Sequence, residues 1–302
     1  AGQLPGSASK TSLEPLKASG AEGIVLSLDD KRVIKLFHSL DNAAKNLPLV
    51  SKNMPETAQV YSTGKIVLDQ PVLYYKKGSS YTPTDTSATK ELYYIIMQRV
   101  KPDPFIYNYV ELAYDKYMRL SSLDLDSLVQ IAMIDNEELK NAANKVFVDF
   151  MNSLDDSRLP RFNNIEELLS TATRKQKNIL KQQFSVYRKG KTKEFLLRTK
   201  RWPTVSLKKM ILNYLGIEND VPYARQFLDF LMNTPSFQKR PKKSFTNNSL
   251  AQDLEAIIQL VKAIRIDKKT PWNDIHREQF GRDMKNNLVA LDLGVKGDAK
   301  IG

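Results

Sequence analysis

The chain has 302 residues, 41% of them apolar and 26% charged, with a formal net charge of +12. That is enough chain to bury a substantial core, and no apolar run approaches the roughly 18 residues a membrane-crossing helix needs, so no membrane partner is expected. Cysteine is absent and the histidines are only His38 and His276, which excludes disulfides and thiolate chemistry and would leave a zinc site to be ligated mainly by carboxylates.

Residues 1–18 read as an N-terminal tail; AGQLPGSASKTS lacks the basic start and apolar stretch of a secretory signal, so a cytoplasmic setting is expected. Residues 19–100 read as a sheet-rich unit. GIVLSL, RVIKLF, KIVLDQPVLYY and ELYYIIMQRV are strand-like, and DDK, DQP and KKGSS are the turn signals between them. LDNAAKNLPLVSKNM has the length of one helix, started or interrupted at Pro48, and TPTDTSATK reads as a loop. An antiparallel sheet is the expected product.

From 101 to 248 the period changes. Apolar residues recur at helical spacing in FIYNYVELAYDKYMRL, LDSLVQIAMI, EELKNAANKVFVDFM, NIEELLSTA, LKKMILNYL and YARQFLDFLM, with no fixed-period repeat. Within this helical block, thirteen Lys or Arg lie between Arg174 and Lys209 against one acid, Glu194, and KRPKK follows at 239–243. Such a face is either solvated surface or a footprint for nucleic acid or another polyanion, with Tyr187, Phe195 and Trp202 available for stacking.

The last region, 249–302, opens with SLAQDLEAIIQLVKAIRI. Ser249 and Gln252 have capping-box spacing, and Leu250, Leu254, Ile257, Val261 and Ile264 make one apolar stripe, so a buried helix is expected. It leads into WNDIHREQ, then the strand-like NLVAL, then Asp292-Leu293-Gly294. Two carboxylates flanking an amide can be a metal-and-phosphate site or a turn and a cap. His276 reads as bracing its loop through nearby backbone, and His38 as structural.

The order of these pieces resembles the protein kinase-like fold, and four places carry the likeness. SGAEG looks like a short glycine loop over nucleotide phosphates, RVIKLF like the strand whose lysine meets them, YYIIMQRV like the strand entering the hinge, and DIHREQ with ALDLG like the catalytic loop and metal-binding motif. Asp274, an amide five positions later at Gln279 and an acid about a dozen further at Asp292 keep the family's spacing. The D-x-H form is closer to aminoglycoside phosphotransferase-like and atypical bacterial or viral kinases than to eukaryotic ones.

The resemblance implies an α+β chain, with a small antiparallel-sheet lobe and a mostly helical lobe, binding ATP and Mg²⁺. Gly20 and Gly23 would let backbone approach the phosphates, Lys35 would contact them, and Gln98, Arg99 and Val100 would meet the adenine. Asp274 would act on the acceptor hydroxyl of a protein or small molecule, while Gln279 and Asp292 would hold metal. Gln279 stands in place of Asn, and between Lys35 and Glu56 the only acid is Asp41, so the helix Glu that pairs with the lysine has no clear counterpart except Glu22 or Glu56 from elsewhere. Eight residues follow Gly294, so the usual segment after the motif is expected to be lacking, with the helical block building most of the second lobe. Two alternatives stay open: a pseudokinase kept as a binding or structural module, and a basic polyanion-binding structural protein of a viral assembly.

Overall fold

The hairpin at the start of the sheet follows from its own residues. Asp29 Oδ1 accepts the backbone N–H groups of Lys31 at 2.9 Å and Arg32 at 2.7 Å, which folds DDK into the turn between β1 (Ile24–Ser27) and β2 (Arg32–Phe37). The computed structural model of the chain describes residues 24–37, 54–72, 89–155, 157–190, 205–242, 244, 246–291 and 293. The tail, the glycine loop with Gly20 and Gly23, the helix expected near Pro48, His38, Glu22, Asp41 and Asp292 lie outside the described residues.

The chain is α+β and divides into two units, one formed by Ala1–Pro104 with Leu260–Gly302 and the other by Phe105–Gln259. In the first, β3 (Val60–Val72) and β4 (Thr89–Gln98) join the hairpin in a four-stranded sheet of order β1-β2-β4-β3, antiparallel throughout. DQP was expected to turn. Instead β3 runs straight through Asp69, Gln70 and Pro71, with a register shift between Val67 and Val72. An edge strand pairs on one side only, so a proline there forfeits no ladder bond when its nitrogen faces outward or sits in a bulge. Phe37, Val60 and Ile95 form a small apolar cluster that Tyr93 and Met97 flank.

A second sheet in the same unit was not foreseen. β5 (Lys101–Pro102) pairs with β6 (Phe280–Arg282), and β6 with β7 (Leu288–Ala290). Between β6 and β7, Asp283 Oδ1 accepts from Lys285 N–H at 2.9 Å and Asn287 N–H at 2.8 Å, and Asn286 takes φ +66°, a left-handed position that Asn tolerates well.

The second unit is helical: α1 (Pro104–Tyr117), α2 (Leu125–Ala132), α3 (Glu137–Asn152), α4 (Ile165–Thr171), α5 (Arg174–Gly190), α6 (Leu207–Tyr214) and α7 (Ala224–Asn233). Asp124, Asn136, Asn164 and Ser206 each cap the helix that follows by accepting a backbone N–H from its first turn. The expected capping box at the next helix, α8 (Leu250–Lys262), forms in both directions, with Ser249 N–H donating to Gln252 Oε1 at 2.8 Å and Gln252 N–H donating to Ser249 Oγ at 3.2 Å. No described helix is long and apolar enough to cross a membrane.

Burial raises the phenols of Tyr107 and Tyr114 on α1, and pushes Tyr117 and Tyr223 up to about 12. A phenol whose pKa is higher folded than unfolded stabilises the fold below its unfolded value, 10.0, and that contribution is lost as pH rises toward the folded value. The helical unit is therefore expected to lose stability from about pH 10 upward, with tyrosinate absorbance and loss of helical ellipticity rising together. Tyrosine ionisation well before any loss of ellipticity would contradict that coupling.

Candidate functional site

The loop between α8 and β6 is shaped by alternating anchors and free side chains. α8 ends in a π turn, Ala263–Asp267, and Lys269 at φ +53° reverses the chain. Arg265 Nη1 donates to the Trp272 carbonyl at 2.9 Å and also reaches Asn273 Oδ1, which pins the start of the loop. Trp272 is fully buried with its ring 5.8 Å from that of Phe280, and Ile275 is buried too. Between and beyond these anchors, Asp274 and His276 keep 41% and 40% of their side-chain surface exposed. The anchors thus hold the backbone while the carboxylate remains accessible.

The loop's end is knitted into the small sheet. Gln279 N–H donates to the His276 carbonyl at 3.0 Å, and Leu291 N–H to the Gln279 carbonyl at 2.9 Å. Gln279 itself is only 8% exposed; its Nε2 lies 3.2 Å from His276 Nε2, and its Oε1 is buried without a hydrogen-bond partner among the described residues. Asp274 Oδ2 lies 3.4 Å from the same histidine nitrogen. Asp274 and Gln279, selected from the sequence by spacing, therefore form one contiguous cluster with His276 between them. Asp292 follows Leu291 directly and lies outside the described residues; Leu293 beyond it is buried.

The expected hinge sits against this cluster's sheet. Asp103 N–H donates to the Phe280 carbonyl at 2.9 Å. An added Cβ on Gly281 would lie 2.6 Å from Val100 Cγ1, 2.9 Å from Leu291 Cδ2 and 3.0 Å from the Lys101 carbonyl, so Val100 rests directly on a glycine two residues after Gln279. Of the hinge N–H groups, those of Gln98 and Arg99 are spent on the Gln59 and Lys31 carbonyls, both at 2.7 Å. The Val100 N–H has no such partner among the described residues.

Lys35 lies on β2 opposite Ile95 of the hinge strand β4. Its Nζ stands 5.1 Å from the centroid of the Phe37 ring, two residues along on the same face, and Phe37 is fully buried. Lys35 is thus half-buried on the strand face that also carries Phe37. Glu56 was one possible partner for it. The register argues otherwise, because Thr63 is level with Ile95 and Lys35, whereas Glu56 precedes β3 and hydrogen-bonds through its carbonyl to Ala290 N–H at 2.8 Å.

Sequence reasoning missed the pair that binds these parts. Arg282 Nε donates to Asp103 Oδ2 at 3.0 Å, and Arg282 Nη1 to the Asn286 carbonyl at 2.8 Å. Asp103 is 1% exposed. Nothing local marks two charges 179 positions apart as partners; an acid immediately before a proline looks like a plain helix start. Glu56 Oε2 and Trp272 Nε1 are likewise buried without a hydrogen-bond partner among the described residues.

The basic helix α5 spends part of its charge within the helical unit. Lys181 pairs with Asp126 at 2.9 Å, Lys177 donates to the Leu169 carbonyl at 3.2 Å and Arg188 to the Ser122 carbonyl at 2.9 Å, so part of its charge fastens neighbouring segments. Tyr187, named as available for stacking, is half-buried with its ring 5.4 Å from Phe150 and 6.1 Å from Phe184. Phe195 and Trp202 lie outside the described residues. Among the described residues no three His, Asp or Glu side chains gather into a metal site. No family model matches the chain, and no curated protein matches it.

Two stability outcomes follow from the small sheet. Arg282→Met strands the Asp103 carboxylate and should cost about 3–5 kcal/mol in denaturant unfolding, much of it regained in the Asp103→Leu/Arg282→Met double variant. Gly281→Ala should cost about 1–3 kcal/mol by overpacking, because the Lys101 carbonyl it meets is backbone. Unchanged midpoints would show that the strand pairing does not depend on either contact.

Proposed function

We propose that the chain is a kinase-like phosphotransferase that binds ATP and Mg²⁺ through the unit containing the four-stranded sheet and the Asp274 loop. The observation that carries this reading is the packing of Val100 on Gly281. That contact sets an N–H with no backbone partner among the described residues beside the strand that continues the catalytic-like loop. A nucleotide needs an adenine edge at one end and charge-handling groups at the other, and this unit holds candidates for both.

The residues fit the group. Val100 N–H suits an adenine acceptor, and Lys35 supplies a cation on the inner face of the neighbouring strand. Asp274 is accessible and its loop is fixed, as a residue that orients an acceptor hydroxyl and takes its proton must be. Asp292 offers the hard oxygen that Mg²⁺ prefers, whereas Gln279, at the position of the family's second ligand, has its amide turned to His276. When bound, the ion would neutralise phosphate charge; positioning the hydroxyl and moving its proton is the work of Asp274. The acceptor class is a protein or a small molecule.

One observation favours the pseudokinase reading as second choice: Gln279 is buried and its amide faces His276, so its oxygen is poorly presented to an ion. The two readings share nucleotide binding and part at transfer.

At ATP concentrations near a hundred times Kd, with Mg²⁺, the melting transition should rise by the equivalent of about 2.7 kcal/mol. Lys35→Ala should reduce that shift, and Asp292→Ala should remove its Mg²⁺-dependent part. Asp274→Ala should keep the shift while lowering phosphate transfer on the order of 10²- to 10⁴-fold. Absence of any shift at saturating nucleotide would sink the reading, whereas a shift with no transfer would select the pseudokinase. Binding to polyanions that falls steeply with salt and survives both Asp substitutions would favour the third alternative.

A further inference from the structure

His276 sits where three groups compete for two ring nitrogens. The Glu278 backbone N–H donates to Nδ1 at 3.2 Å, which makes Nδ1 the acceptor and places the proton of the neutral ring on Nε2. Nε2 faces the Gln279 amide at 3.2 Å and Asp274 Oδ2 at 3.4 Å. The opposite tautomer would set an Nδ1–H against the Glu278 N–H and a nitrogen lone pair against the carboxylate. Both contacts are repulsive, so the surroundings select Nε2–H.

That proton then decides the orientation of Gln279. The two ends of an amide have the same shape, and only hydrogen bonding distinguishes them. An Nε2–H donor calls for the amide oxygen at 3.2 Å, because an NH₂ group there would meet it donor to donor. The residue is 8% exposed and its oxygen, in the reverse orientation, is a buried acceptor with no partner among the described residues. Presenting the oxygen to His276 removes the donor clash at Nε2, and the NH₂ group then takes the buried position at which the oxygen finds no partner among the described residues.

We propose that His276 is a positioning residue whose Nε2–H is shared between Asp274 Oδ2 and the Gln279 amide oxygen. The bridge holds the Asp274 carboxylate in one rotamer and uses Gln279 as a brace of the loop instead of a second metal ligand. Its consequence for rate rests on the phosphotransferase reading; the bridge itself does not.

The bridge is tested first without catalysis. In the full chain carrying labelled histidine, with His38 assigned through H38Q, the nitrogen shifts of His276 should be those of a protonated Nε2 and an unprotonated Nδ1. The Nδ1–H tautomer, or a fast average of the two, overturns the proposal. In transfer assays His276→Phe should lower kcat by about 100-fold with little change in the KM for ATP, the scale of a misplaced reacting group. His276→Gln, whose amide nitrogen reaches the Nε2 position, should restore most of that loss, whereas His276→Asn, which reaches only the Nδ1 position, should not. Equal rates for the Gln and Asn variants, or full activity in the Phe variant, overturn the positioning role. Failure of the phosphotransferase reading has a different signature: wild-type chain with no nucleotide-dependent melting shift and no transfer, while the tautomer measurement still decides the bridge.

Discussion

The buried pairing of Asp103 with Arg282 is the contact on which the candidate site depends. It joins residues 179 positions apart, and the strands it accompanies are too short to hold on their own: β5 contributes two residues and β6 three. A two-residue strand offers little ladder energy against the entropy of closing so long a loop. The ion pair, the Asp103 N–H bond to Phe280 and the Val100–Gly281 packing act on the same few residues, so they reinforce one another. A buried ion pair need not stabilise a protein more than apolar residues would, but once present it penalises every register in which the partners miss each other. That specificity suits a site assembled from distant segments, in which a slip of one residue would turn Gln279 out of the interior and Gly281 away from Val100.

What the sequence made legible was local chemistry. The DDK turn, the strand pattern of RVIKLF, the Ser249–Gln252 box and the apolar stripe through Leu254, Ile257, Val261 and Ile264 all depend on neighbours within a few positions, and all form. The failures share the opposite property. Pro71 looked like a breaker because sequence does not say whether a strand lies at an edge. β5 and β6 are shorter than any periodicity can register. Asp103 and Arg282 are ordinary charges until the fold buries them.

The site shows the same division. Spacing selected Asp274 and Gln279, and the structure brings them together around His276. Spacing could not supply the anchors Arg265 and Trp272, which make the loop rigid enough for an exposed carboxylate to have a defined direction. Nor could it foresee that two of three hinge N–H groups are consumed by Gln59 and Lys31. Under the proposed nucleotide reading, that leaves Val100 as the donor for an adenine edge and makes the Val100–Gly281 contact more consequential, since the same residue presents the N–H and packs on the loop's strand.

The substitution of Gln for Asn at 279 changes meaning in this setting. Read as a metal ligand, the extra methylene is a defect, because it carries the oxygen past the position an ion would need. Read as a brace, it is a requirement. Gln279 begins immediately before β6, its backbone is fixed by the His276 carbonyl on one side and Leu291 on the other, and its amide must reach a ring nitrogen three residues back. From the same Cα, an Asn amide ends about one carbon–carbon bond, roughly 1.5 Å, short of that reach. A 3.2 Å contact lengthened by that amount is no hydrogen bond. The side chain whose length misfits a metal ligand is thus, in the proposed bridge, the one that reaches the histidine beside the Asp274 carboxylate.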